Sequence, residues 1–407
     1  MNFPPPEFSR PHPFPVVPDP LPRPELFMYL DVTLLGLGLA LAAWLTLRKR
    51  SRFGVVALML ASIAYFGFWR RGCVCAIGSI QNVAQALCDP GYALTAAAAA
   101  FFLLPLAFAL FFGRVFCAAV CPHGALQDLL LVRPVRLPAW VSGGLGLLPF
   151  VYLGAAVLCA AGGGLYLICR YDPFVALFRM SGPAFMLAAG GAILVLSVFV
   201  GRPYCRFLCP YGALLRLLQP LSWKRARITP ADCDVCKLCR EQCPFDAIRR
   251  PVPEPSAAER LRGRRWLAVA LLATPLLCAA GGVAGYAMGP LFARSAREVP
   301  LAVVVSQAEA ATPEAAADPV AADAFLRSGE APAALYARAT ALERRFRRGG
   351  TAFGVWFGFA AGALLVVHSR RKVRTVFETD PSECVACGRC YASCPREQAR
   401  IREERKG

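Results

Sequence analysis

Residues 93–126 read ALTAAAAAFFLLPLAFALFFGRVFCAAVCPHGAL, an apolar run closed by a C-x3-C-P element. The same arrangement returns at 184–214 as AFMLAAGGAILVLSVFVGRPYCRFLCPYGAL. Aligned without gaps, residues 113–130 and 201–218 are identical at ten of eighteen positions, among them Gly113/Gly201, Arg114/Arg202, both cysteines and the proline. Proline disfavours helix for the residue before it and is welcome in a helix's first turn. Each copy is therefore expected to end a membrane span, carry its thiols through a short turn and begin a new interfacial helix. Two copies related by an internal repeat would bring Cys117, Cys121, Cys205 and Cys209 together just inside one face of the membrane.

The rest of the chain agrees with a membrane setting. Of its 407 residues, 57% are hydrophobic, and the mean hydropathy is +0.48, too apolar for a soluble domain of this size. The most apolar windows, 27–47, 53–69, 93–112, 142–161, 184–200, 265–285 and 352–368, lie near the roughly 17–25 residues that a spanning helix needs. The expected fold class is an all-α integral membrane protein with about seven transmembrane helices. Its 45 Lys and Arg against 26 Asp and Glu give a net charge of +19. No aromatic-interleaved basic motif accompanies the charge, which excludes a nucleic-acid reading. Instead, Arg48, Lys49, Arg50 and Arg52, then Arg133 and Arg136, the stretch from Arg202 to Arg265, and Arg370, Arg371, Lys372 and Arg374 all fall on one side if the spans alternate. The positive-inside rule makes that side cytoplasmic. The N-terminus is then outside and the C-terminus inside a bacterial inner (plasma) membrane, and residues 1–26, with ten prolines, form an extended external tail.

Eighteen cysteines carry the chemistry. CDVCKLCREQCP places Cys233, Cys236, Cys239 and Cys243 in the run C-x2-C-x2-C-x3-C-P, and CVACGRCYASCP repeats it with Cys384, Cys387, Cys390 and Cys394. This is the bacterial [4Fe–4S] run, whose fourth cysteine ligates the other cluster of a pair. Zinc sites use separated C-x2-C knuckles instead. The expected assignment is Cys233, Cys236, Cys239 and Cys394 to cluster I, and Cys384, Cys387, Cys390 and Cys243 to cluster II. The motifs lie 140 residues apart in sequence, so a split two-cluster ferredoxin-like module is assembled from halves at 221–255 and 370–407. Spans at 265–285 and 352–368 and an external helical segment at 286–350 separate them. That segment reads as a solvated cap or as a docking surface.

The C-x3-C-P quartet reads as a metal site or a further iron–sulfur cluster, or as packing that shields the ferredoxin clusters. Cys73, Cys75, Cys88 and Cys169 are expected together on the outer face, as ligands of a second redox centre or as disulfides in an oxidising compartment. Cys159 and Cys278 read as packing residues. No C-x-x-C-H occurs, only His12, His123 and His368 are present, and neither a P-loop nor a dinucleotide fingerprint appears, which argues against covalent haem, multi-haem, ATP and dinucleotide chemistry. His123 reads as a ligand or proton acceptor or as an interfacial aromatic, and its repeat counterpart, Tyr211, favours the interfacial aromatic.

Paired C-x3-C-P motifs followed by a ferredoxin run resemble the membrane polyferredoxins of the NapH type and the membrane half of NosR-type proteins, over about residues 53–250 and 352–400. The resemblance implies electron transfer between a cytoplasmic or quinol donor and an external redox partner, a reductase or flavoprotein. The chain shows no external flavin-binding domain, so the external partner is expected to be a separate protein. The alternative is metal handling: another membrane polyferredoxin group with a C-x3-C-P element is linked to copper during oxidase assembly, which would make this a maturation or regulatory factor.

Overall fold

The computed structural model describes residues 25–72, 75–163, 165–228, 233–310, 317–369 and 373–404. Cys73 and nearly all of the expected external tail lie outside the described residues. In lipid only helices and closed barrels satisfy every backbone group internally, and all seven apolar windows are helical. Among the described residues, five helices are long and apolar enough to cross a membrane: Leu26–Arg48, Arg52–Trp69, Trp140–Ala161, Ala257–Ala293 and Pro332–Val367. Pro173–Arg179 and Ala184–Phe199, bent by 100°, make a sixth if taken as one span, while Ala96–Phe112 is shorter. The self-sufficient spans therefore number five or six rather than the expected seven.

Helix α1 (Glu25–Ala43) continues as a π-helical turn to Arg48. The left-handed Arg50 (φ 48°) breaks it from α2 (Arg52–Ser62), which extends as a π-helix to Trp69. After α3 (Ala76–Cys88), Thr95 caps α4 (Ala96–Phe112). That helix stops at Gly113, whose φ of 73° suits glycine.

Past Gly113 the chain departs from expectation. It turns back into the protein as a buried π-helical turn, Phe116–Val120, reverses at Cys121 and leaves as α5 (Pro122–Leu129). Helix α5 lies along α2. Asp128 at its end pairs with Arg52, the first residue of α2. His123 at its start packs on Phe178 at 5.5 Å, and Phe178 packs on Phe68 near the far end of the α2 extension, also at 5.5 Å.

Helices α6 (Ala139–Leu145), α7 (Leu148–Ala161), α8 (Leu167–Tyr171), α9 (Pro173–Arg179) and α10 (Ala184–Phe199) lead to the second copy, where α11 (Pro203–Phe207) ends and α12 (Pro210–Leu218) begins around Cys209. Tyr211 donates its hydroxyl to Phe102 O at 2.6 Å, whereas Trp223 N and Lys224 N, beyond α12, donate to Leu110 O and Phe111 O at 2.9 and 2.8 Å. So α12 runs beside α4 in the same direction, and its first turn is level with the first half of α4. Both C-x3-C-P turns are re-entrant, and their thiols sit at mid-helix depth rather than just inside one face. Such backbone is tolerated at that depth because it is buried in protein; Phe116, Ala118, Ala119 and Val120 are all buried.

The ferredoxin halves follow. Helix α13 (Leu238–Glu241) and strand β1 (Ile248–Arg249) precede α14 (Ala257–Ala293), which a Ser256–Glu259 capping box starts. Helices α15 (Glu298–Ala310) and α16 (Pro319–Arg327) lead into α17 (Pro332–Ser369). Helices α14 and α17, of 37 and 38 residues, pack as an antiparallel hairpin. Each is about 55 Å long at 1.5 Å per residue, so much of 286–350 continues the two expected spans. Glycines allow the close approach: a Cβ on Gly285 would overlap the Gly350 carbonyl, and one on Gly354 that of Gly281. Strand β2 (Glu378–Thr379), α18 (Arg389–Ser393) and α19 (Pro395–Glu404) complete the chain. Strand β2 pairs antiparallel with β1, Ile248 opposite Thr379, which joins the two halves across the hairpin.

Candidate functional site

The two cysteine runs fold alike. Val235 and Lys237 in the first, at φ 50° and 68°, match Ala386 and Gly388 in the second, at φ 54° and 77°. A β-branched valine at positive φ is a strained conformation that persists only where its surroundings require it. Alternating right- and left-handed residues turn successive N–H groups inward, a nest that favours a bound anion. The sulfurs accept some of these donors: Arg240 N reaches Cys239, Phe245 N and Ala247 N reach Cys243, and Ala386 N lies 3.5 Å from Cys384 Sγ.

The thiols group across the halves. Cys239 has Cys394, Cys236 and Cys233 as electrostatic neighbours, and Cys390 has Cys387, Cys384 and Cys243. A small cavity is lined by Cys243, Cys384, Cys387 and Cys390. Burial, with like neighbours adding, pushes Cys239 and Cys243 up to about 11 and Cys384 to about 12. These thiols ionise readily only with a cationic centre among them. A bound metal deprotonates a coordinating thiol outright. Among the described residues no three His, Cys, Asp or Glu side chains converge as a lone ion requires. A [4Fe–4S] cube instead takes each thiolate on a different iron, so thiols spread around a cavity suit it better. Ion pairs lock the module: Arg249 grips Asp380 at 2.9 and 3.0 Å, and Arg396 meets Asp234 through two bonds of 2.8 and 2.9 Å.

Deeper in the protein the two C-x3-C-P turns meet. Cys209 has Cys205, Cys121 and Cys117 as electrostatic neighbours. A Cβ on Gly124 would lie 3.6 Å from Cys205 Sγ and 3.3 Å from Cys117 O, and one on Gly212 would lie 3.0 Å from Cys205 O. Cys75, Cys121 and Cys209 are each the N-cap of a helix with glycine three residues on, and Gly212 N donates to Cys209 Sγ at 3.3 Å. The positive ends of α3, α5 and α12 thereby face the thiols and favour thiolates or an anionic group there. The recurring C-x-x-G, at Cys75–Gly78, Cys121–Gly124 and Cys209–Gly212, was a readable signal for these caps.

A polar shell surrounds the thiols. Gln127, wholly buried, donates to Cys205 Sγ at 3.3 Å and to His123 O at 2.9 Å, and accepts from Tyr204 N at 3.0 Å. Asp172 accepts from Phe174 N at 2.9 Å and from the Tyr204 hydroxyl at 3.1 Å. His123 is buried, not interfacial: its ring lies among Phe174, Phe178 and Tyr204, with Nε2 3.5 Å from Asp172 Oδ2. Of this shell only His123 was singled out from sequence, and in another role; Gln127, Asp172 and Tyr204 were not, because isolated polar residues carry no spacing signal.

Of the expected outer quartet, Cys73 lies outside the described residues, Cys75 and Cys169 are electrostatic neighbours at the start of α3, and Cys88 stands apart from both. Cys75 lines a small cavity with Cys121 and His123, so it belongs beside the C-x3-C-P thiols. Cys88 is the last residue of α3, thirteen residues away, about 20 Å along the axis. Cys169 packs near Gly78 in the first turn of α3, where a glycine Cβ would lie 3.4 Å from its sulfur. One short helix separates Cys75 from Cys88, a separation hidden until α3 is seen to start deep. Cys159, within 3.9 Å of Ser295 Oγ, is buried as expected.

Comparison with known proteins falls on these same segments. A family model described as a 4Fe-4S binding domain matches residues 94–146 and 182–228, the two C-x3-C-P copies, and a second 4Fe-4S binding domain model matches 377–398. The chain is 30% identical over 166 residues to the putative electron transport protein YccM of Escherichia coli, covering 36% of this chain and 46% of that one. It is 32% identical over 156 residues to NirI of Paracoccus denitrificans, and 31% identical over 159 residues to the regulatory protein NosR of Pseudomonas aeruginosa. Each match covers 34% of this chain, but only 22% and 21% of those proteins. The chain thus spans less than half of each of these relatives. No solved structure matches. The chain is accordingly similar to these three proteins over about a third of its length, and its two C-x3-C-P copies and second ferredoxin run match 4Fe-4S binding domain models.

Proposed function

We propose that this protein relays electrons through a bacterial inner membrane, between a cytoplasmic or quinol donor and an external redox protein. Clusters I and II, bound as assigned above in the cytoplasmic module, supply one-electron chemistry. The thiols of Cys117, Cys121, Cys205 and Cys209 hold a further cluster at mid-membrane depth. The observation that carries this reading is stacking: the cluster II loop rests on the thiol motifs. Gln219, just after α12, donates to Cys384 O at 2.7 Å, Arg52 donates to Cys387 O at 2.8 Å, and a Cβ on Gly201 would meet Pro244, the residue after Cys243.

A hydrocarbon core of roughly 30 Å is a wide barrier, and a centre halfway through it divides the distance. With the usual inside-negative potential, an outward electron is favoured by about 2.3 kcal/mol per 100 mV. The topology follows the basic clusters, with the ferredoxin module and C-terminus cytoplasmic and the loop end of the α14–α17 hairpin external.

Metal and sulfide analysis of anaerobically purified protein tests the reading. Two ferredoxin clusters account for about eight irons with matching labile sulfide, and the membrane site raises this to about twelve. Stoichiometric copper at the C-x3-C-P thiols, without the extra iron, would replace the relay by a metal-handling role.

A further inference from the structure

Asp128, near the end of α5, is wholly buried, yet three arginines from three separate parts of the chain reach it. Arg52, opening α2, pairs with Oδ2; Arg202, in the turn before α11, places Nε 3.5 Å from Oδ1; and Arg389, between Gly388 and Cys390 in the second cluster loop, donates to the Asp128 carbonyl at 3.0 Å. Two of these arginines use their remaining donors on cysteine-bearing backbone. Arg52 donates to Cys387 O at 2.8 Å, while Arg202 donates to Cys117 O and, at 3.1 Å, to Ala118 O. An unbroken bridge, Cys387–Arg52–Asp128–Arg202–Cys117, therefore links the cluster II loop to the re-entrant thiol turn. Arg202 has Asp128, Cys205, Cys387 and Cys117 as electrostatic neighbours, so a single cation serves both sites.

The charge balance is specific. Three guanidiniums, Arg202 buried and Arg52 and Arg389 partly exposed, and one carboxylate leave net positive charge between two thiol sets, each of which becomes anionic when ligating a cluster. Without the carboxylate, three cations would crowd one another with only backbone carbonyls to fix their forks. Burial disfavours the Asp128 carboxylate, but Arg202, Arg52 and Arg389 outweigh it and hold its pKa below the ordinary range, so the group is charged.

We infer that Asp128 with Arg52, Arg202 and Arg389 is the positioning element that registers cluster II, rather than cluster I, on the membrane thiol site and sets the charge that cluster II experiences. Cluster II is then the membrane-facing member of the pair. This rests on the relay reading above.

The test is an EPR-monitored redox titration of the full-length, anaerobically purified protein, with signals assigned through Cys233→Ser and Cys384→Ser variants. Asp128→Asn removes a negative charge beside cluster II and is expected to favour its reduction tenfold or more, a rise of about 59 mV for one electron. Cluster I should not move, and Asp128→Glu should restore much of the wild-type value. If Asp128→Asn does not assemble, Arg389→Lys, which keeps the charge but loses the fork, is expected to shift cluster II alone. Equal shifts in both clusters, or none in cluster II, overturn the inference and leave the relay standing. A wild-type protein without iron–sulfur signals overturns both.

Discussion

Replacing Gly201 by alanine strikes the seam between the ferredoxin module and the thiol motif. A Cβ at this position would sit 2.8 Å from both the Cβ and the carbonyl oxygen of Pro244 and 3.2 Å from the Phe245 ring. Ordinary contact begins near 3.4 Å, so Pro244 must retreat by about 0.6 Å, the difference between 3.4 and 2.8. It has little freedom to do so. Pro244 is bonded to Cys243, the proposed cluster II ligand, and Phe245 behind it is 3% exposed, with the Arg202 guanidinium 5.7 Å from its ring. Overpacking of this kind costs about 1–3 kcal/mol, roughly a 5- to 140-fold change in a docking equilibrium. Gly191→Ala in α10 is the control, because nothing lies within 4 Å of its would-be Cβ. Alanine is the better helix former by up to about 1 kcal/mol, so the control should be neutral or slightly stabilised. The assay is loss of iron–sulfur absorbance during a thermal ramp of anaerobic protein. Gly201→Ala should lose clusters at a clearly lower temperature than wild type, and Gly191→Ala should not. Indistinguishable curves for the two variants would refute the docking geometry.

Three further outcomes follow from the same arrangement. Cys394→Ser should abolish the EPR signal lost in Cys233→Ser, and Cys243→Ser the one lost in Cys384→Ser; if each variant instead matched its own motif, the exchange of fourth ligands would be wrong. Cys75→Ser should perturb the membrane centre while Cys88→Ser leaves it unchanged, as measured by iron content and EPR, and the reverse result would restore an outer site. Burial raises the Asp380 pKa, but the Ser382 donors and Arg249 outweigh it and hold this carboxylate below its ordinary range. A depressed folded pKa contributes stability that is complete above the unfolded value, about pH 4, and is lost as pH falls through the folded one. The stability lost in Asp380→Asn should therefore be constant from pH 8 to pH 5 in thermal melts, and a deficit that varies across that range would count against the ion pair.

The spans and the cluster loops were legible because their signals are local. A run such as 53–69 reports its compatibility with lipid directly, and C-x2-C-x2-C-x3-C-P encodes a loop whose own backbone turns create the nest. The grouping of Cys394 with Cys233, Cys236 and Cys239 was also readable, since the motif itself implies the exchange. Depth was not. Hydropathy cannot tell a segment that leaves the membrane from one that folds back into protein, so Phe116–Val120 looked like a boundary, and the thiols were placed too near one face. The position of Cys75 depends on where α3 begins, which only its packing against the re-entrant turns decides. The Asp128 bridge was invisible because it draws on Arg52, Arg202 and Arg389, residues up to 337 positions apart in sequence that read singly as topogenic charge. The α14–α17 hairpin extends past its apolar windows because glycine packing, not hydropathy, holds the two helices together.

The central claim is that a redox centre lies within the membrane region, on the C-x3-C-P thiols, in series with the ferredoxin clusters. It is tested most directly by anaerobic EPR redox titration of the wild type beside a Cys117→Ser/Cys205→Ser double variant, with iron counted in both. The account predicts that the variant loses one titrating signal and about four irons while both ferredoxin signals persist. A variant that retains every signal, every potential and the full iron content would contradict it and make the duplicated motif structural.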